Sequence, residues 1–380
     1  MNQSLSSVDP DGRLEYSVVF SDRSLNHMSR LFQGVMRDLS STLKEVYNAH
    51  SLAIVPGGGS YAMEAVARQF ATGERCLVIR NGWFSFRWSQ ILEAGRLAAA
   101  TTVLKAHPAG SGDQAPFAPP PIDAVVDAIA RDRPAVVFAP HVETASGILL
   151  GRDYLAAVAR ATHAAGGLFV LDCIASGALW VDMRDSGVDV LLSAPQKGWS
   201  SSACAGLVMF SEAAAQRLPQ TRGSSFALDL QAWRNVMASY EQGGHSYYAT
   251  LPTDALRVLR DNVLETRALG WQHTRERQQR LGDAVRELLA ARGYASVAAH
   301  GCEAPSVVVS YTADEAMHDG SAFAAHNVQI AAGVPLACDE PPGFKSFRVG
   351  LFGLDKLWDV DGTLARFAAA LDAVEGRGRA

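Results

Sequence analysis

Cysteine is sparse and scattered in this chain. Cys76, Cys173, Cys204, Cys302 and Cys338 are odd in number, far apart and never in a C-x-x-C pair. That argues against a disulfide framework and against a structural zinc site. An excess of positive charge is also missing: the net charge of −5 leaves no basic footprint for nucleic acid. No apolar run reaches the roughly 20 residues that span a membrane. The opening stretch MNQSLSSVDPDG lacks the charged and apolar regions of a secretory signal. There is no G-x-G-x-x-G fingerprint, and the one glycine-rich turn holds no lysine, so a nucleotide lacks its usual seat. Repeats are absent too. What is there, 380 residues with 48% hydrophobic and 19% charged side chains, describes an enzyme-sized globular protein of about two domains. A cytoplasmic location is expected.

Short β-branched runs recur at Leu52-Val55, Cys76-Ile79, Thr101-Leu104, Ala135-Ala139, Leu168-Asp172, Val188-Leu192 and Gly206-Phe210. Helical spacing of apolar residues separates them at Met63-Phe70, Ile122-Arg131 and Tyr154-Ala164. Seven such runs alternating with helices predict an α/β region with a mostly parallel sheet covered on both faces. The Pro/Gly/Ala-rich segment Ala106-Pro121 reads as an exposed excursion. After Pro252 the texture changes. Thr253-Leu289 is a charged helical stretch with a break near Gly270, followed by strands at Val307-Tyr311, Val328-Ala331 and Phe347-Val349 and a closing helix at Leu364-Val374. The expected division is an arm over 1–15, a large domain over 16–262 and a smaller α+β domain over 263–380.

Six features carry chemistry. Lys197, in Ser193-Ala194-Pro195-Gln196-Lys197-Gly198-Trp199, is the only lysine between residues 155 and 215. A lysine in an apolar pocket loses its charge easily and becomes a nucleophile able to hold a carbonyl cofactor as a Schiff base; in a plain turn it is a surface group. Pro56-Gly57-Gly58-Gly59-Ser60 follows a strand and opens a helix, which suits an anion or a simple capped turn. Asp172 ends a strand, where open α/β sheets bind ligands, although an N-cap role also fits. The aromatic loop Asn81-Trp88 could offer a ring for stacking, and His141-Val142-Glu143-Thr144-Ala145-Ser146-Gly147 brings hydroxyls and a carboxylate to the same edge. Neither His141 nor Glu143 has a third ligand nearby to make a metal site. Arg348, inside an apolar strand, needs an anionic partner, either a substrate carboxylate or a structural acid.

In this order the features resemble the class V aminotransferases of fold type I, which use pyridoxal 5'-phosphate. Alanine–glyoxylate, serine–pyruvate and 2-aminoethylphosphonate aminotransferases are of this kind. The likeness covers about residues 25 to 375, and Gly59-Ser60-Tyr61-Ala62-Met63-Glu64-Ala65 is most similar to the aminoethylphosphonate branch. The resemblance implies that Lys197 forms the Schiff base and shuttles the proton, while Asp172 keeps the pyridine nitrogen protonated. Phe84 is implied to stack on the ring, and Gly58, Gly59, Ser60 and Gln196 to bind the phosphate. Thr144, with Ala145 as a register alternative, falls near the phenolic oxygen; Ile174 is grouped with the cofactor contacts. Arg348 is implied to grip the substrate carboxylate. Tyr247 and Thr250 resemble residues that reach the neighbouring subunit's phosphate, which implies a homodimer with cofactor sites at its interface.

One segment departs from the family. Its usual Gly-Pro-rich opening is replaced by Tyr16-His27, so Asn26, His27 and Arg23 become candidate substrate contacts. The expected reaction moves an amino group from a small donor (alanine, serine or a 2-aminoethylphosphonate-like amine) to a 2-oxo acid such as pyruvate or glyoxylate. A lyase, or another non-transaminating reaction on the same fold, is the alternative. A desulfurase is disfavoured because Phe84 and Gln196 stand where histidines are usual.

Overall fold

The computed structural model describes residues 8–376; residues 1–7 of the expected arm lie outside them. All seven anticipated runs form one sheet: β1 Ser51–Pro56, β2 Arg75–Arg80, β3 Ala100–Lys105, β4 Val136–Pro140, β5 Leu168–Asp172, β6 Val190–Ser193 and β7 Ala205–Phe210. Their spatial order is β1-β7-β6-β5-β4-β2-β3, with β7 antiparallel to both neighbours and the remaining pairs parallel. β4 and β5 are buried along their whole length, which explains why they read as continuous apolar runs rather than as alternating ones. Helices α1 Arg30–Tyr47, α2 Gly59–Phe70, α3 Trp83–Ala94, α4 Ile122–Asp132 and α5 Arg152–Ala164 accompany the sheet.

Two of these helices were not anticipated. α1 buries Phe32, Val35, Met36, Leu39, Leu43 and Tyr47 along one face and is capped by the Ser29 hydroxyl, which accepts from the Phe32 N–H. α3 replaces the expected aromatic loop from Trp83 onward. The C-terminal expectations fare better. Helices Thr253–Leu269 and Trp271–Ala291 break at Gly270, whose φ is 95°; the first runs unbroken through residues 262 and 263. A three-stranded antiparallel sheet follows: β8 Val307–Tyr311, β9 Ala331–Ala332 and, between them, β10 Ser346–Gly350. The Ala106-Pro121 excursion is exposed over residues 107–114, as expected, and is pinned at Phe117. Phe117 is buried, donates its N–H to Val297 O and accepts at its carbonyl from Ala299.

The carboxyl ends of β2, β4, β5 and β6, together with the turn after β1, open on the same edge of the sheet, where α/β folds place their ligands. The loop after β6 is clamped there. Trp199 stacks on Trp180 at 4.7 Å and donates to Ser193 Oγ at 3.1 Å, while Ser200 Oγ accepts from Leu354 N at 2.7 Å. Gly198 lies so close to Gly177 that a Cβ would sit 2.5 Å from its carbonyl oxygen. Gly198→Ala is therefore expected to cost roughly 1–3 kcal/mol in urea unfolding, as overpacked sites do. Gly34, mid-α1 with nothing within 4 Å of a built Cβ, should gain about 0.5–1 kcal/mol on the same change. Equal effects at both positions would show that the close approach to Gly177 is immaterial.

Candidate active site

Asp172 is the last residue of β5 and is 9% exposed. Its Oδ1 accepts from Ile174 N at 2.9 Å; its other oxygen has no hydrogen-bond partner among the described residues. Burial pushes its carboxyl up from 3.8 to about 6, with the Glu143 charge adding to the rise and Arg87 opposing it. Ile174 leans across the glycine turn: a Cβ on Gly59 would meet Ile174 Cδ1 at 2.5 Å. Gly58, at the N-cap of α2, has open space where a Cβ would go.

Lys197 is half-buried, and its amine lies 5.2 Å from the centre of the Phe352 ring. Burial lowers its pKa, and the Arg348 and Arg87 guanidinium groups lower it further. The chain's other lysines, Lys44, Lys105, Lys345 and Lys356, each pair with a carboxylate. Among the described residues, Lys197 alone has no acid partner.

Arg348, in the middle of β10, donates its Nε–H to Ala332 O at 2.7 Å and has no carboxylate within ion-pair distance among the described residues. A structural ion pair, the alternative left open for it, is absent among the described residues, where the Glu143 charge acts on the guanidinium without an ion-pair contact and leaves its other N–H groups without a recorded acceptor. Its Cζ sits 5.3 Å from the centre of the Phe84 ring, and Arg87 Cζ lies 5.4 Å from the same ring. Arg87 also donates to Ser60 Oγ at 3.0 Å. The hydroxyls of the 141–147 loop divide in two. Ser146 donates its proton to Asn81 O at 2.8 Å, whereas Thr144 makes no side-chain hydrogen bond among the described residues. Gln196 is exposed beside the lysine. His141 is neutral, driven down to about 3 by burial, and its Nδ1 sits 2.7 Å from Ser176 Oγ.

Contacts and charge thus link Gly59, Ser60, Phe84, Asp172, Ile174, Lys197 and Arg348 in one cleft. Four other expected residues stand in a second cluster. Tyr247 and Thr250 are exposed and bond each other through their hydroxyls at 3.0 Å. His27 packs against Tyr247 and His245, with ring centres 5.4 and 5.9 Å apart, and Asn26 donates to Glu15 Oε2 at 2.6 Å. Among the described residues, no hydrogen bond or ring contact joins that cluster to Lys197.

Sequence reasoning missed Arg87, Phe352 and any use for Glu143. Arg87 follows Phe84 by one helical turn, a relation visible only once α3 is known to be a helix. Pyridoxal phosphate fits these residues. The cleft offers a depressed amine for its aldehyde, a buried acceptor for its ring nitrogen, an aromatic plate, and an open glycine turn with a hydroxyl and a guanidinium for its phosphate. Among the described residues, no three His, Cys, Asp or Glu side chains gather as a metal site, and no helix is long and apolar enough to cross a membrane.

The sequence profile of the class-V aminotransferases matches residues 14–345. 2-Aminoethylphosphonate–pyruvate transaminase 2 of Paraburkholderia xenovorans is 29% identical over 332 residues, 86% of this chain and 83% of that protein. A Synechococcus protein named soluble hydrogenase, small subunit, is 28% identical over 287 residues, 74% of this chain and 71% of its own. Among solved structures, the alanine–glyoxylate aminotransferase of Nostoc superposes with a TM-score of 0.78 at 23% identity, covering 92% of this chain and 89% of that one. Profile, relatives and fold agree with the cleft's chemistry, and the chain belongs to the class-V aminotransferases, enzymes that work with pyridoxal phosphate.

Proposed function

We propose that this aminotransferase takes the amino group of a small amino acid or amine, of the alanine, serine or 2-aminoethylphosphonate type, and passes it to a 2-oxo acid such as pyruvate or glyoxylate. The observation that carries the residue assignment is the Lys197 amine, half-buried 5.2 Å from the Phe352 ring centre, under the charge of Arg348 and Arg87, and with no acid within ion-pair distance among the described residues. Relatives named for 2-aminoethylphosphonate with pyruvate, aspartate with glyoxylate and alanine with glyoxylate support the substrate classes.

When bound, pyridoxal phosphate supplies an aldehyde for the amine and a ring that withdraws electrons from the substrate's Cα. Lys197 is then the covalent anchor and the base that moves the Cα proton. Asp172 holds a proton at the ring nitrogen. Phe84 would stack on the ring, Ile174 would be a further contact, and Thr144 would stand near the phenolic oxygen. Gly58, Gly59, Ser60 and Gln196 bind the phosphate, and Arg87 joins them. Arg348 grips the substrate's carboxylate or phosphonate through its free guanidinium edge. We also assign a homodimer, in which the exposed hydroxyl pair Tyr247 and Thr250 reaches the partner's phosphate. Asn26 and His27 accompany Tyr247 and would serve that same neighbouring cleft. Free, mostly buried thiols support a reducing, cytoplasmic setting.

Three outcomes are expected. The cofactor-free protein should capture pyridoxal phosphate with a visible absorbance band, and Lys197→Ala should show none; a band of equal strength in the variant defeats the assignment. Capture needs the neutral amine, so its rate falls as pH drops through the Lys197 pKa. Removing a nearby cation stabilises the protonated amine and raises that pKa. In Arg348→Gln the pH midpoint of capture should therefore move upward, and carboxylate donors should lose on the order of 2–5 kcal/mol of binding. An unmoved midpoint places the guanidinium away from the amine.

Asp172 supplies the third. Its folded carboxyl titrates near 6 against 3.8 unfolded, so the folded chain holds the extra proton and stability falls as pH rises from about 4 to 6. In cofactor-free protein at pH 7.5, Asp172→Asn should raise the unfolding free energy by up to about 3 kcal/mol. The gain should vanish near pH 4, and transamination should be lost at every pH.

A further inference from the structure

Glu143 is a fully buried carboxylate of the cleft to which the assignments above give no task. No cation pairs with it among the described residues. Its oxygens instead accept four hydrogen bonds. Oε1 takes the backbone N–H of Phe84 at 3.2 Å and of Ala145 at 3.0 Å, and Oε2 takes the N–H of Ser85 at 2.8 Å and its hydroxyl at 2.6 Å. Phe84 and Ser85 lie in the first turn of α3, whose N–H groups have no partner within the helix. Gly82, the N-cap residue, has no side chain to satisfy them. It also leaves the room that Glu143 needs: a Cβ there would lie 2.6 Å from Glu143 Cγ. A negative group from the loop after β4 thus caps the positive end of a helix distant in sequence.

The same carboxylate therefore fixes Phe84 and the backbone beside Thr144 relative to each other. An amide cannot replace it. Whichever way a glutamine is turned, its NH2 meets at least one of the backbone N–H donors, because both oxygens of Glu143 face one. Resting on the reading of Phe84 as the ring that stacks on the cofactor, we propose that Glu143 is a positioning residue. By capping α3 across the cleft it sets the plane of Phe84, and through that plane it sets how the cofactor lies over Asp172.

The experiment uses the holoenzymes of the wild type, Glu143→Gln, Phe84→Ala and the double variant. Far-UV circular dichroism confirms folding, while visible circular dichroism of the bound cofactor and the Kd for pyridoxal phosphate provide the readouts. A residue that only stabilises the fold would leave both readouts unchanged at temperatures where the variant stays folded. Glu143→Gln should diminish the visible dichroic band and weaken binding about tenfold. Phe84→Ala should do the same, and the double variant should be no more than about twofold weaker than Phe84→Ala alone. Wild-type dichroism and affinity in Glu143→Gln, or losses that multiply in the double variant, overturn the proposal while the stacking reading stands. Wild-type affinity in Phe84→Ala sinks the stacking reading, and the proposal with it. Should Glu143→Gln not fold, Ser85→Ala, which deletes one of the four donors, decides by the same readouts. An intermediate loss supports the proposal, and none overturns it.

Discussion

The amine of Lys197 sits half-buried against the Phe352 ring, under the charge of Arg348 and Arg87, and among the described residues no carboxylate lies within ion-pair distance of it. Left alone, such a group would move toward water or find an acid, as every other lysine of the chain has done. The structure prevents both. Trp199 on Trp180, the Gly198–Gly177 approach and the bond from Leu354 N to Ser200 Oγ hold its loop at the sheet edge. The nearest aromatic lid, Phe352, comes from the C-terminal region and offers the amine a ring face rather than a counter-charge. The outcome is an amine that gives up its proton more readily than an ordinary lysine.

The cleft is destabilising in other ways too, and each follows the same rule. Among the described residues, one oxygen of the Asp172 carboxylate has no donor and Arg348 has no acid within ion-pair distance. Both pKa shifts run toward the uncharged form, the direction that burial without a partner imposes. A molecule with a ring nitrogen and a substrate carboxylate would relieve both. Binding such a molecule would offset the cost of burying both groups. Glu143 is the counter-example. It is buried as deeply, yet all its acceptor capacity is used inside the protein, as expected of a group that holds others in place.

Much of this could be read in the sequence. Strands with two buried faces show as plain apolar runs, so all seven were visible, and Asp172 and Lys197 follow from what ends β5 and β6. The glycine turn and the helix break at Gly270 were legible for similar reasons, since backbone demands leave a compositional mark. α3 was not. Its inner face carries Ser85 and Ser89 beside Trp88 and Leu92, while Trp83, Phe84 and Phe86 lie outside that face, so its hydrophobic periodicity is blurred. With the helix went Arg87 and the capping task of Glu143, both of which depend on contacts 27 and 58 to 59 residues away in sequence. The cluster of Asn26, His27, Tyr247 and Thr250 was hidden for the same reason: ring packing across more than two hundred residues leaves no local signal.

The central claim is that one particular amine carries the cofactor. Reduction of the holoenzyme with borohydride, followed by peptide mass mapping, tests it directly by making any carbonyl–amine linkage permanent. The phosphopyridoxyl mass should fall on the peptide containing Lys197 at about one per chain, and on none of Lys44, Lys105, Lys345 or Lys356. A label spread over those four, or absent from Lys197, would contradict the account.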